Sequence, residues 1–99
     1  MMWIIVSYDF PSDDPAQYRR FRKCLLKCGF TFIQKSLCWR WVHSMEKAGS
    51  IQSAVRNALQ SSGNILLWQL SDRSFASAFF WEDRRSVAMP DPPDPWLVL

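Results

Sequence analysis

Asp9 and a single block of bases hold most of the chemistry available to this 99-residue chain. Asp9 follows the apolar, partly β-branched run Trp3-Ile4-Ile5-Val6-Ser7-Tyr8. It precedes Phe10-Pro11-Ser12-Asp13-Asp14-Pro15, which is turn chemistry. A carboxylate where a strand ends beside a helix start is well placed to hold a ligand. Mg²⁺ keeps several waters and takes one or two carboxylates, and it stabilises the charge and activates the water that phosphodiester hydrolysis needs. Asp9 is therefore the candidate metal ligand and catalytic residue. One such aspartate per chain is thin for catalysis, whereas a two-fold dimer brings two around one ion. The plainer account is that Asp9 accepts backbone hydrogen bonds within its loop, and the residues alone favour it.

The second feature is charge. Residues 1–18 contain Asp9, Asp13 and Asp14 and no base. Residues 19–40 contain Arg19, Arg20, Arg22, Lys23, Lys27, Lys35 and Arg40 and no acid, although the whole chain nets only +3. Arg19, Lys23 and Lys27 recur at every fourth residue, with Arg20 beside them and Arg22 on the flank. On a helix this makes a basic stripe suited to nucleic-acid phosphates, bound without sequence preference and sensitively to salt. The bland reading is a solvated helix face; seven bases without one acid favour binding.

Other candidates are weaker. Cys24 and Cys28 lie four apart, like half a metal site, but no second pair or nearby histidine completes it, so packing is the better reading. Cys38 and His43 have no partners of that kind, and His43 reads as a surface residue at a strand end. Trp39 and Trp41 could stack on bases, but burial in a core or subunit interface is favoured. Arg84 and Arg85, flanked by Glu82 and Asp83, read as surface charge. The sequence contains no glycine-rich phosphate loop, nucleophile elbow or RNA-binding aromatic signature.

These residues need elements to position them. The first apolar run reads as a buried strand. A helix over 15–28 follows, with Asp14 as its cap, Pro15 at its first position, and Gly29 as its stop. Tyr18, Phe21, Leu25 and Cys28 fall on one face of it, opposite the bases. Residues 30–35 and 37–42 read as strands, the second with Leu37, Trp39 and Trp41 on one side and Cys38, Arg40 and Val42 on the other. Helical spacing of Ile51, Val55 and Leu59 predicts a helix over 45–61. A strand over 65–70, a short helical piece around Phe75, and a short fifth strand over 78–81 complete the series. The order strand–helix–strand–strand–helix–strand is the ferredoxin-like α+β pattern, βαββαβ. The predicted division is a domain over 1–88 and a Pro-rich arm with a final apolar strand, Trp96-Leu97-Val98-Leu99, over 89–99. That strand invites addition to a sheet edge, including a partner's.

Composition excludes several classes. With 48% hydrophobic and 21% charged residues the chain is not disordered. No apolar run approaches a membrane span, and the first one is too short for a signal peptide. Three cysteines without paired spacing argue against a secreted disulfide scaffold and point to a reduced, cytoplasmic compartment. Fifteen aromatic rings (six Trp, seven Phe, two Tyr) are more than so small a chain easily buries, so some are expected to pack on another subunit.

Five short motifs in this order carry a family likeness: Ser7-Tyr8-Asp9-Phe10-Pro11, Tyr18-Arg19-Arg20-Phe21-Arg22-Lys23, Gly29-Phe30, Gln34-Lys35-Ser36 and Gly63-Asn64-Ile65. Together, over roughly residues 2–87, the chain resembles the small CRISPR-associated adaptation proteins, dimeric partners of the CRISPR integrase. Within that family it is similar to members from single-effector (type II-like) systems. The resemblance implies a ferredoxin-like homodimer sandwiched between integrase dimers, capturing short duplex DNA as new spacers. It also implies, for some members, a Mg²⁺-dependent endonuclease activity on RNA or DNA, with the metal-binding aspartate at the position of Asp9. A free-standing, toxin-like ribonuclease of the same fold is the remaining alternative. The sequence departs from the family at Cys38, where an aromatic residue is usual, and in its Pro-rich arm.

Overall fold

The first apolar run becomes β1 (Met2–Asp9), and its position explains why both of its faces are apolar. In the computed structural model, which describes residues 2–60 and 62–93, β1 lies inside a four-stranded sheet. It pairs antiparallel with β3 (Leu37–Val42) from Met2 opposite Val42 to Ser7 opposite Leu37. On its other side it pairs antiparallel with β4 (Asn64–Ser71) from Met2 opposite Ser71 to Asp9 opposite Asn64. β2 (Thr31–Gln34) adds beyond β3, giving the order β2-β3-β1-β4. With α1 (Pro15–Lys27) and α2 (Met45–Ala58), this is the predicted ferredoxin-like α+β sandwich.

Ile4, Val6 and Tyr8 of β1 face the helices and form the main core with Phe21, Leu25, Phe30, Cys38, Val42, Ala48, Ile51 and Val55. Trp3 and Ile5 point the other way. There they meet Phe75 of α3 (Asp72–Ala76), with Leu37, Trp39, Trp41, Leu70 and Met89 packed around them. The predicted alternation along β3 is the one observed, and its tryptophans serve this second core. Trp3 stacks on Phe75 at 4.0 Å, and Trp41 Nε1 donates to Asp72 Oδ1 at 2.9 Å.

Several boundaries differ from expectation for identifiable reasons. α1 starts as predicted: Asp14 accepts from the Gln17 amide at 3.1 Å, and Pro15 opens the helix. It ends one residue early, with Cys28 as its cap and Gly29 at φ 85°. α2 stops at Ala58 instead of residue 61, because Leu59 turns extended and the Gln60 amide donates to Gln17 Oε1 at 3.3 Å. β2 is shorter than the predicted 30–35, since Phe30 is drawn into the core and pairing slips between Phe32 and Gln34. The short strand expected over 78–81 forms as β5 (Phe80–Glu82). It pairs not with the main sheet but with β6 (Arg85–Val87), as a separate hairpin. Residues 96–99, expected as a final strand, lie outside the described residues. No helix among the described residues is long and apolar enough to cross a membrane.

Candidate functional site

Asp9 is the last residue of β1, and its side chain is exposed. Its neighbourhood is fixed by pairing on both sides of the strand end. Asn64 lies opposite Asp9 in β4, and the Tyr8 amide donates to Ser36 O at 3.1 Å across the β2–β3 turn. Phe10 then leaves the sheet over Gly63. A Cβ on Gly63 would stand 2.3 Å from Phe10 Cδ1, and its backbone φ of 148° already excludes most side chains. Gln17 of α1, buried to 1% exposure, holds the loop before Gly63 by donating to Ser62 O at 3.2 Å while accepting from Gln60. Strand end, helix start and loop are thus locked together, and the first two line one cleft with the β2–β3 turn.

That cleft has a volume of about 470 Å³ and is lined by Asp9, Phe10, Pro11, Ser12, Asp14, Pro15, Tyr18, Arg19, Lys35 and Ser36. Beneath it Tyr8 is 4% exposed, and its hydroxyl lacks a hydrogen-bond partner of normal geometry. Burial pushes this phenol well above its ordinary range, and the neighbouring Tyr18 phenol reinforces the shift, so Tyr8 stays protonated. The Tyr18 hydroxyl donates to Lys35 O at 2.6 Å. Tyr8 is therefore part of the cleft's support and no source of charge in it.

The donor chemistry limits what one chain can hold. Asp9 offers a carboxylate, but that of Asp14 caps α1, and no group of three His, Cys, Asp or Glu is gathered for an ion among the described residues. One chain alone does not fit a Mg²⁺ site.

The bases separate into two groups. Arg19, Arg20, Lys23 and Lys27 are exposed on α1, and Arg19, Arg20 and Lys23 share a shallow groove with Ala16. Arg22 is half-buried with its guanidinium 4.0 Å from the centre of the Phe32 ring, which makes it a packing residue on the flank of the stripe. Arg40 leaves the basic block altogether. Its Nη1 donates to Cys28 O at 2.6 Å, placing positive charge on the negative end of α1. Cys24 and Cys28 are half-buried, and Cys38 is fully buried, its thiol pushed up to about 12 chiefly by that burial. His43, Arg84 and Arg85 are exposed, as expected.

Sequence reasoning did not single out Gln17, Arg40 or Lys35 for these positions. Gln17 meets partners more than 40 residues away, and no local pattern announces that. Lys35 carried a signal: it lies inside the motif Gln34-Lys35-Ser36 at the junction of two strands, and the Ser36 carbonyl of that motif closes on the end of β1.

The arrangement defines a ferredoxin-like α+β protein with a basic helix beside a strand-end carboxylate. Comparison with known families gives it a place. The family described as CRISPR associated protein Cas2 matches residues 2–78, and the chain belongs to that family. A CRISPR-associated endoribonuclease Cas2 of Flavobacterium psychrophilum is 30% identical over 94 residues, covering 92% of this chain and 82% of the relative. One of Rhodospirillum rubrum, named Cas2 2, is 35% identical over 83 residues, 81% of this chain and 74% of its own. One of Parvibaculum lavamentivorans is 34% identical over 77 residues, 75% and 76% of the two chains.

Proposed function

We propose that this Cas2 protein acts in CRISPR adaptation as a cytoplasmic homodimer that binds short duplex DNA and bridges integrase dimers as new spacers are inserted. The observation that carries this reading is the exposed row Arg19, Arg20, Lys23 and Lys27 on a helix capped at both ends. Such a row meets phosphates without reading bases, as a protein that takes up arbitrary sequences requires. Two copies double the charge and set two rows on one particle. Dimerisation is supported by apolar surface that one chain leaves uncovered: Leu66 and Trp68 on the open face of β4, and Phe79 and Trp81 around β5.

The test is capture of short duplexes by the protein with its integrase across a salt series. Affinity should fall steeply with salt, and the double reversal Arg19→Glu, Lys23→Glu should abolish capture. Salt-independent binding, or capture unchanged by the reversal, overturns the reading. An array with a single large effector gene beside this one supports the type II-like setting; a locus without integrase and repeats supports the free-standing ribonuclease.

A second reading rests on Asp9 in its cleft and on the relatives named endoribonucleases. It is a Mg²⁺-dependent endonuclease acting on RNA or DNA, in which Asp9 and its counterpart in a second copy hold one ion. The ion, when bound, supplies charge stabilisation and an activated water. Asp9 would hold the ion, with Arg19 and Lys35 lining the same cleft. Cleavage lost in Asp9→Ala, with capture retained, supports this activity. Equal residual cleavage by both proteins assigns it to contamination.

A further inference from the structure

We infer that Lys35 and Arg19 grip one backbone phosphate of a nucleic-acid strand across the cleft above Asp9, with Tyr18 as the residue that positions Lys35. This rests on the nucleic-acid reading above and adds a path: the strand leaves the outer face of α1 and enters the cleft.

Arg19 joins the two surfaces. It lines the groove shared with Arg20 and Lys23 and also the cleft that contains Asp9 and Lys35. A strand lying on the outer bases therefore meets the cleft at Arg19. Lys35 lines the same cleft from the β2–β3 turn, and that turn is pinned from both sides. The Tyr18 hydroxyl donates to Lys35 O at 2.6 Å, and the Tyr8 amide donates to Ser36 O at 3.1 Å. The Lys35 ammonium lies 5.9 Å from the centre of the Tyr18 ring, so the ring in the cleft wall guides the charged end. A lysine on a free turn loses backbone and side-chain mobility when it binds; here the backbone part of that ordering is already in place.

The acids of the cleft sharpen the inference. Asp14 is turned to the amides at the start of α1, accepting from Gln17 at 3.1 Å. Asp9 opposes an anion placed between Lys35 and Arg19 until a cation or a proton neutralises it. Phosphate binding in the cleft should therefore respond to Asp9 in a way that binding on the outer face does not. At about 470 Å³ the cleft has room for a nucleotide unit, with Phe10 and Pro11 as an apolar wall for sugar or base.

The test is anisotropy of a short labelled single-stranded RNA and a short labelled duplex DNA, in EDTA across a salt series. Wild type, Lys35→Ala, Tyr18→Phe, Lys23→Glu, Asp9→Asn and the Asp9→Asn, Lys35→Ala pair are compared. Lys35→Ala should weaken binding about three- to tenfold. It should also lower the steepness of the salt plot by roughly one contact, ~0.7 for the single strand or ~0.9 for the duplex. Tyr18→Phe should weaken it less, in the same direction. Asp9→Asn should tighten binding about three- to tenfold, and by less when Lys35 is absent. If Lys23→Glu weakens binding while Lys35→Ala keeps wild-type affinity and slope, the cleft is not on the path and the inference falls alone. If the wild type binds neither nucleic acid, both readings fall. If inorganic phosphate binds the wild type and Lys35→Ala abolishes that binding while leaving the probe's affinity and salt slope unchanged, the cleft is a free-phosphate site and the strand assignment is wrong.

Discussion

Gly63 shows how much one position without a side chain can decide. The Phe10 ring occupies the space its Cβ would need, and φ is 148°. Gly63→Ala should cost about 2–3 kcal/mol or more, read as a lower urea midpoint. Adding Phe10→Ala should not restore the loss, because the backbone conformation stays unfavourable. Cys38 makes a second residue-scale prediction. Burial raises its thiol to about 12, so the folded protein holds this proton more tightly than the unfolded chain, whose thiol titrates near 9. Stability is full below that lower value and falls as pH rises through the window towards about 12, by at most ~1.4 kcal/mol per pH unit for this group. Denaturation between neutral and alkaline pH should show a decline that Cys38→Ala reduces. Legibility at this scale follows sequence distance. The Asp14 cap and Pro15 could be read directly because both partners lie within one turn. Gln17 and Arg40 could not, since their partners are brought near only by the completed fold.

Elements were more legible than their edges. Periodicity identified α1, β3 and α2, and unbroken apolar runs identified β1 and β4, because burial of one face writes a repeat into the sequence and burial of a short strand writes a run. Edges are set by contacts between elements, as where Gln17 takes the amide that would have continued past α2. The β5–β6 hairpin was half hidden for another reason. Its two-residue turn places Asp83 at φ 51° and Arg84 at φ 68°, positions where glycine or asparagine is the usual signal. Holding two such residues left-handed is costly, so the pair Asp83→Asn, Arg84→Gly should stabilise the hairpin by about 1 kcal/mol. The measurement is slower proteolytic nicking at the turn, with the rest of the digestion pattern unchanged.

For the whole molecule, the distribution of apolar surface carries the prediction. Phe80 turns inward to Trp39, with ring centres 6.2 Å apart, while Phe79 and Trp81 stack on each other outside at 5.7 Å and remain 80% and 62% exposed. The double change Phe79→Ser, Trp81→Ser should leave the fold intact and shift sedimentation of the proposed homodimer towards a single chain. A dimer that persists places the interface elsewhere. The aromatic excess pointed to such a partner from composition, but only the three-dimensional arrangement shows which rings are spent on the chain's own second core. The sheet order also bears on synthesis. The apolar strand made first, β1, sits between β3 and β4, and its full pairing with β4 waits for residues 64–71. A growing chain therefore carries Trp3 to Val6 as an incomplete, adhesive edge until residues 64–71 emerge. A pause by the ribosome before β4 would cost this protein more, in lost yield, than one after it.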